Sequence, residues 1–364
     1  MLCCKISVDY QGGLPMMENR IFSMLADVLL PWYDTDHREL PWRANKDPYC
    51  IWVSEIMLQQ TRVEAVKGYY TRFLEKVPTI ADLAKADDAL LQKLWEGLGY
   101  YSRVRNMKKA AQIIMDRYDG VFPREYDAVL ALPGIGEYTA GAICSIAYDQ
   151  PTPAVDGNVL RVVARLTDND TPVDTPVFKA SVRRELTQIY PHRAGDFTQA
   201  LMELGATLCG PNRKPNCENC PCNGFCKGYI HGTAELLPVR QPKKKRRIEE
   251  KTVFILSCDG YYALQKRPAD GLLAGLWQFP NISGKLSLQQ IMTQVEDIGV
   301  KPRELLRVVE RKHVFTHIEW HMSGVYMEVV DPTECYTWLT AREIRDHAAL
   351  PTAFRQFFEE IENV

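Results

Sequence analysis

The sequence predicts a mainly α-helical N-terminal region followed by a smaller, separate α+β domain. Three observations predict it. Apolar residues recur at helical spacing through most of residues 18–231 and are interrupted by Pro and Gly. Residues 232–250 lose that spacing and carry Pro238, Pro242 and the run Lys243-Lys244-Lys245-Arg246-Arg247. Beyond them the period shortens to that of a strand, with Asp259-Gly260 as a hairpin signal between two apolar runs.

Residues 1–17 include Gly12, Gly13 and Pro15, show no periodicity and are expected to form a loose tail. From Glu18 to about Tyr33, Ile21, Leu25, Val28, Leu29 and Trp32 fall on one helical face. Further helices are separated by breaks at Leu40-Pro41, Val77-Pro78, Asp119-Gly120, Leu132-Pro133-Gly134, Thr171-Pro172 and Tyr190-Pro191. Residues 232–250 are expected to be an exposed linker; a short basic run of this kind is also the composition of a nuclear-import signal. Residues 251–364 then form the second domain. Thr252–Cys258 and Tyr261–Arg267 read as paired strands, Leu286–Val295 as a helix, Arg307–Val314 and Trp320–Val330 as strands, and residues 352–361 as a closing helix.

With 364 residues the chain has room for two or three packed domains, and 46% hydrophobic with 25% charged residues is ordinary globular composition. No apolar run approaches the roughly 20 residues that span a bilayer. Cys3, Cys4, Lys5 and Asp9 stand where a secretory signal would be apolar, so the expected address is the cytoplasm, with thiols reduced. The net charge of −2 argues against a general polyanion binder. Local patches can still meet DNA: Arg103/Arg105/Lys108/Lys109, Arg183/Arg184, Arg213/Lys214 and Lys243–Arg247. Taken singly, each patch reads as a solvated face.

Two local motifs carry chemistry. Cys209, Cys217, Cys220 and Cys226 have the spacing C-x7-C-x2-C-x5-C, with Cys222 as a fifth thiol inside it. Such a set suits a tetrahedral zinc ion or a [4Fe–4S] cluster, and the spacing does not choose between them. Residues 132–136, Leu-Pro-Gly-Ile-Gly, separate helical Tyr126–Ala131 from helical Tyr138–Tyr148. Gly134 and Gly136 permit a tight turn whose N–H groups, at the positive end of the next helix, suit a DNA phosphate. A plain turn between packed helices is the alternative. The small residues of Tyr138-Thr139-Ala140-Gly141-Ala142 favour the helix-hairpin-helix reading.

Before these motifs comes Trp52-Val53-Ser54-Glu55-Ile56-Met57-Leu58-Gln59-Gln60-Thr61. This order, together with Leu40-Pro41-Trp42-Arg43, Gly97-Leu98-Gly99-Tyr100-Tyr101 and Val155-Asp156-Gly157-Asn158-Val159, closely resembles the MutY family of adenine DNA glycosylases in the helix-hairpin-helix superfamily. The resemblance is strong over residues 18–230 and weaker over 250–360. It implies a helix-hairpin-helix glycosylase fold whose four cysteines hold a [4Fe–4S] cluster. The family's usual first cysteine spacing is six residues and here it is seven, which shifts Arg213 and Lys214, the DNA-facing part of that loop.

Glu55 has Ile51, Trp52, Leu58 and Gln59 as its helical neighbours, a largely apolar face. Desolvation there raises a carboxyl pKa and keeps a proton available near pH 7 for a departing purine. The resemblance assigns Glu55 the protonation of adenine N7. Asp156, with Gly157 and a helix after it, reads on its own as a helix cap. The resemblance makes it also the second carboxylate, facing the sugar, as in the two-carboxylate logic of sugar hydrolases. Tyr138 and Asn158 match supporting positions of the family's pocket. Relatives that cleave the DNA strand carry a nucleophilic lysine at the position of Tyr138. Tyrosine cannot form a Schiff base, so a monofunctional glycosylase is expected.

Gln60 and Tyr100 match the family's intercalating residues, which fill the space left by an everted base. Asp270–Pro280 resembles the family's C-terminal module, which is Nudix-like in fold. No Gly followed by an Arg-Glu-x-x-Glu-Glu string occurs in residues 251–364, so no pyrophosphatase activity is expected. Phe315-Thr316-His317 matches the family's Phe-Ser-His loop, which recognises 8-oxoguanine opposite the adenine. Thr316 keeps the hydroxyl of the usual Ser. The implied partner is duplex DNA with adenine opposite 8-oxoguanine or guanine, and no membrane; a monomer is expected, cytoplasmic and nucleoid-associated when bound to DNA. Competing readings are a thymine-mismatch or oxidised-pyrimidine glycosylase of the same superfamily, a non-catalytic DNA-binding or electron-transfer protein, and a nucleotide pyrophosphatase.

Overall fold

The structure, a computed structural model, describes residues 21–211, 214–242 and 245–362. The expected tail, Arg213, and Lys243 and Lys244 of the basic run lie outside the described residues. Contacts group the chain into two compact units, 1–70 with 117–242 and 71–116 with 243–364. Among the described residues no helix is long and apolar enough to cross a membrane.

The first unit is helical. Helix α1 (Leu25–Asp36) buries Leu25 and Leu29 of the expected stripe and also Tyr33, while Val28 and Trp32 of that stripe are half-buried. Helix α2 (Pro48–Leu58) starts where Asp47 accepts the Tyr49 N–H at 2.8 Å and Pro48 occupies the first turn. It is buried on every side from Ile51 to Met57, Glu55 included. Helix α3 (Val63–Lys76) follows, and the second unit takes over at residue 71. The first unit resumes with α7 (Tyr126–Leu130) and α8 (Glu137–Tyr148), which form the predicted helical hairpin. Gly141 lets α8 lie against the chain at Pro153, because a Cβ there would fall on the Pro153 carbonyl. Helix α9 (Gly157–Thr167) is buried from Val159 to Thr167, and α10 (Pro176–Ile189) and α11 (Ala194–Ala206) pack around it. At Gly205 a Cβ would come within 2.7 Å of the Asn158 Cβ, so α11 approaches α9 closely there. The short α12 (Lys227–Ile230) follows the cysteine-rich stretch.

The segment expected to be an exposed linker from 232 is partly built into this unit. Ala234 and Leu237 are buried, Leu237 accepts a hydrogen bond from Arg165, and Val239 accepts one from the Val173 N–H. Its far end is shorter than expected too. Strand β1 runs Arg247–Cys258, because Arg247 to Ser257 pair in parallel with Ile318 to Glu328. The pairing partner lies some seventy residues away, so nothing local marks Arg247 as strand.

The second unit combines α4 (Ile80–Lys85), α5 (Asp88–Leu94) and α6 (Ser102–Arg117, all but its last residue) with the C-terminal sheet. The sheet has seven strands. Along the main path β2 (Tyr261–Lys266) lies between β3 (Trp277–Gln278) and β1, and β6 (Ile318–Val329) lies between β1 and β5 (Pro302–Val314). Strand β4 (Asn281–Ser283) pairs β1, and β7 (Thr337–Thr340) pairs β2. Asp259 and Gly260, both at positive φ, close the β1–β2 hairpin as expected. Val253 and Ile255 of β1 face one core with α14 (Ala341–His347) and α15 (Thr352–Glu362). Phe254 and Leu256 face another with α13 (Leu288–Asp297). Burial on both faces explains the unbroken apolar run in β1.

Candidate active site and cysteine cavity

A cavity of about 750 Å³ opens in the first unit, and Trp42, Arg43, Glu55, Tyr138, Asp156 and Asn158 are on its wall. Glu55 arrives from the middle of α2 and is only 5% exposed. Its Oε2 accepts a hydrogen bond from the Tyr138 hydroxyl at 2.5 Å. Burial pushes its pKa from 4.5 up to about 7. The Tyr138 bond pulls the other way, the charge of Asp156 adds to the rise, and Arg43 opposes it. Burial, with Glu55 and Asp156 beside it, holds the Tyr138 phenol well above 10, so it stays a donor.

Asp156 is the N-cap of α9, as the sequence predicts. Its Oδ1 accepts the backbone N–H of Asn158 at 2.9 Å and of Val159 at 2.8 Å, and its Oδ2 accepts the Asn158 Nδ2 at 2.7 Å. Burial raises its pKa, against these bonds and Arg161. The two carboxyls nonetheless differ in kind. Three N–H donors and a helix N-terminus converge on Asp156 and favour its anion. Glu55 has one phenolic donor in an apolar setting, so a proton shared by the site resides on Glu55.

Sequence reasoning gave no role to a buried ionic group on the same wall. Glu203 of α11 is fully buried and accepts Arg38 Nε at 2.6 Å, Arg38 Nη2 at 2.9 Å and Arg43 Nη2 at 2.7 Å. Burial alone would raise its pKa, but the two guanidiniums outweigh burial and hold it below the ordinary value. The buried carboxylate fixes the Arg38 and Arg43 guanidiniums on the cavity wall, where they offer donors to a planar heterocycle. The signal that found Glu55, large apolar residues three and four positions away, is missing for Glu203, whose neighbours at those positions are Gln199, Ala200, Ala206 and Thr207.

Two buried arginines connect α9 to the cysteine stretch. Arg161 donates to Asn158 Oδ1 at 2.8 Å, to the Gly205 carbonyl at 2.7 Å and to the Cys209 carbonyl at 2.8 Å. Arg165 donates to the Cys209 carbonyl at 3.1 Å, to Cys209 Sγ at 3.2 Å and to the Gly210 carbonyl at 3.2 Å. A continuous set of bonds therefore runs from the Asp156 carboxylate through Asn158 and Arg161 to Cys209. Replacing Arg161 with Gln takes the donor from Asn158 Oδ1 and the Gly205 carbonyl, while the Cys209 carbonyl keeps Arg165; each stranded acceptor costs about 1–3 kcal/mol. The expected result is a lower melting temperature together with slower turnover; an Arg161→Gln protein matching the native one in both would remove this link from the account.

Cys209, Cys217, Cys220, Cys222 and Cys226 line one small cavity, and all five are free thiols. Among the described residues no three His, Cys, Asp or Glu side chains are grouped to hold a single metal ion. The donor set suits a four-iron cluster. It consists of soft thiols, which need not converge on one point because each bonds a different iron, with buried guanidiniums to offset the negative charge.

The hairpin presents Gly134 at φ 79° and Gly136 as the N-cap of α8, with no side chain capping that end. A Cβ at Gly136 would meet nothing within 4 Å, so the space before the helix N-terminus is open to a bulky anion. Gln60, just past α2, sits at φ 60°, a strained backbone for a residue other than Gly. Lys214 is exposed, 3.4 Å from Glu235. Arg183 turns to Glu137 at 3.1 Å and to the Tyr126 hydroxyl at 3.0 Å.

In the second unit Tyr100 is 47% exposed at φ 47°, and its hydroxyl bonds the Thr316 hydroxyl. Arg103 holds the Tyr100 turn by donating to the carbonyls of Leu98 at 2.9 Å and Gly99 at 3.0 Å. Arg105 donates to the Ala274 carbonyl and Lys108 pairs with Asp88, so three members of the expected basic patch are engaged within the unit. Phe315-Thr316-His317 forms the β5–β6 turn, closed by the Phe315 N–H on the Ile318 carbonyl at 2.8 Å. Phe315 packs between His313 and Trp320, while Thr316 and His317 are exposed. A cavity of about 460 Å³ has Tyr100, Phe315, Thr316 and His317 together on its wall.

Residues 53–188 match the HhH-GPD superfamily of base excision DNA repair proteins, and residues 252–360 match the NUDIX domain family. The chain is 35% identical to the adenine DNA glycosylase of Rattus norvegicus, over 94% of this chain and 80% of that one. It is 35% identical to that of Homo sapiens, over 91% and 72%, and 33% identical to that of Buchnera aphidicola, over 82% and 85%. Among solved structures, a thermostable thymine-DNA glycosylase superposes at a TM-score of 0.53 with 30% identity, over 58% of this chain and 98% of that one. A trapped covalent endonuclease III–DNA intermediate superposes at 0.51 with 25% identity, over 60% and 99%.

Proposed function

The chain belongs to the adenine DNA glycosylase family, and we propose that it hydrolyses the N-glycosidic bond of adenine paired with 8-oxoguanine or guanine in duplex DNA, acting as a monomer. The observation that carries this reading is a neutral-poised Glu55 and a donor-wrapped Asp156 on the wall of one cavity.

Glu55 hands its proton to N7 of an everted adenine. The C1′–N9 bond breaks, and its electron pair leaves with the purine. Asp156, held as the anion by Asn158 and the α9 N-terminus, opposes the positive charge growing on the sugar. Water adds to C1′ and its proton returns to the carboxyl pair, leaving adenine and an abasic site. Tyr138 holds the Glu55 carboxyl in place, and Arg43, held by Glu203, reads the purine edge. Gly134 and Gly136 hold a phosphate, with Arg213 and Lys214 adding contacts from the cysteine loop. Gln60 and Tyr100 fill the vacated stack, and Phe315, Thr316 and His317 read the opposite base, which supplies the discrimination a normal base requires.

Cys209, Cys217, Cys220 and Cys226 would hold a [4Fe–4S] cluster. When bound, it cross-links the loop that Arg161 and Arg165 tie to α9. The Nudix-like domain hydrolyses no nucleotide.

The test is excision from A:8-oxoG, A:G and T:G duplexes. Adenine is expected to be released from the first two, and thymine release from the third would overturn the reading. Because Tyr138 stands where a Schiff-base lysine would be needed, borohydride is expected to trap no protein–DNA adduct. Efficient trapping with strand cleavage would contradict that.

A further inference from the structure

Five thiols, not four, line the cavity proposed to hold the cluster. The fifth, Cys222, is fully buried and packs in the same apolar core as Cys226. Its carbonyl accepts the N–H of Phe225 at 3.2 Å and of Cys226 at 2.9 Å, so its backbone belongs to the turn that sets Cys226. Cys220 lies two residues earlier, and its carbonyl accepts the Asn223 N–H at 3.0 Å. The two cysteines thus flank Pro221 within one bonded turn. A small apolar residue would fill the position of Cys222 equally well as packing. A thiol adds a soft donor among the residues that line the same cavity as four others.

We propose that Cys220 and Cys222 are interchangeable ligands for one corner of the cluster, so that loss of either thiol leaves four. The exchange needs a change of side-chain rotamer within a turn whose backbone stays bonded as it is. This rests on the cluster reading above.

The test is iron and acid-labile sulfide per chain, with electron paramagnetic resonance of the reduced protein. It is applied to the full chain and to Cys220→Ala, Cys222→Ala, the double variant and Cys209→Ala. Cys220→Ala and Cys222→Ala are each expected to keep native iron and sulfide, with an altered resonance spectrum in Cys220→Ala. The double variant and Cys209→Ala are expected to lose both. Loss of iron in either single variant, or full retention in the double, would overturn the proposal. Circular dichroism separates loss of cluster from loss of fold, and Cys220→Ser gives the same readout should Cys220→Ala not fold. A native chain purified with zinc and no sulfide would instead overturn the cluster reading itself, and the proposal with it.

Discussion

Replacing Glu55 with Gln is expected to abolish adenine excision, to leave duplex binding intact, and to make the fold more stable above neutral pH. Gln keeps the shape and an acceptor for the Tyr138 hydroxyl, but it has no proton to give. Loss of a general acid slows chemistry by about 10²–10⁴-fold. Single-turnover excision measures that loss, and an electrophoretic shift measures binding. The stability effect has the opposite sign. The Glu55 carboxyl titrates near 7 in the fold and near 4.5 when unfolded. The folded state therefore binds this proton more tightly, and the stability it brings is present below pH 4.5 and lost as pH rises through 7. The difference is worth roughly 3 kcal/mol. Glu55→Gln should show that gain in urea unfolding at pH 8 and none at pH 4. Equal stability of the two proteins at pH 8 would mean the carboxyl is not desolvated as described.

The second large effect falls on Asp156. Its cap role and its catalytic role are separable by Asp156→Asn. Asn retains Oδ1 to accept the Asn158 and Val159 N–H groups, so α9 keeps its cap. It places an NH₂ against the Asn158 Nδ2 donor. Asn158 cannot turn over to relieve that clash without facing its own NH₂ to Arg161. The cost to stability is about 1–3 kcal/mol, well short of unfolding. Removing the negative charge opposite the developing sugar cation is expected to slow excision by on the order of 10³-fold. Circular dichroism should be native-like while the rate falls. A rate within tenfold of native would reduce Asp156 to a helix cap.

Local chemistry was legible in the sequence. The apolar neighbours of Glu55, the Asp-Gly-Asn start of α9, the Pro-Gly-x-Gly hairpin and the alternation after residue 251 all report on contacts made within a few residues. The features that escaped are long-range. Glu203 meets Arg38 across 165 positions, and no spacing rule connects them. Arg103 reads as a solvated cation in a basic run, yet its guanidinium is spent on the carbonyls of Leu98 and Gly99. Strand β1 begins at Arg247 only because β6 lies beside it, and the two-residue β3 is too short to show a period. Leu237 looks like part of a linker until Arg165 reaches its carbonyl.

The most direct measurement is the pH dependence of single-turnover adenine release from an A:8-oxoG duplex, with enzyme in excess. A proton held on a buried Glu55 predicts a rate that falls tenfold per pH unit above an apparent pKa near 7, and that also falls at lower pH where Asp156 takes up a proton. A rate that stays level from pH 6 to about pH 9, or that rises through that range, would contradict it.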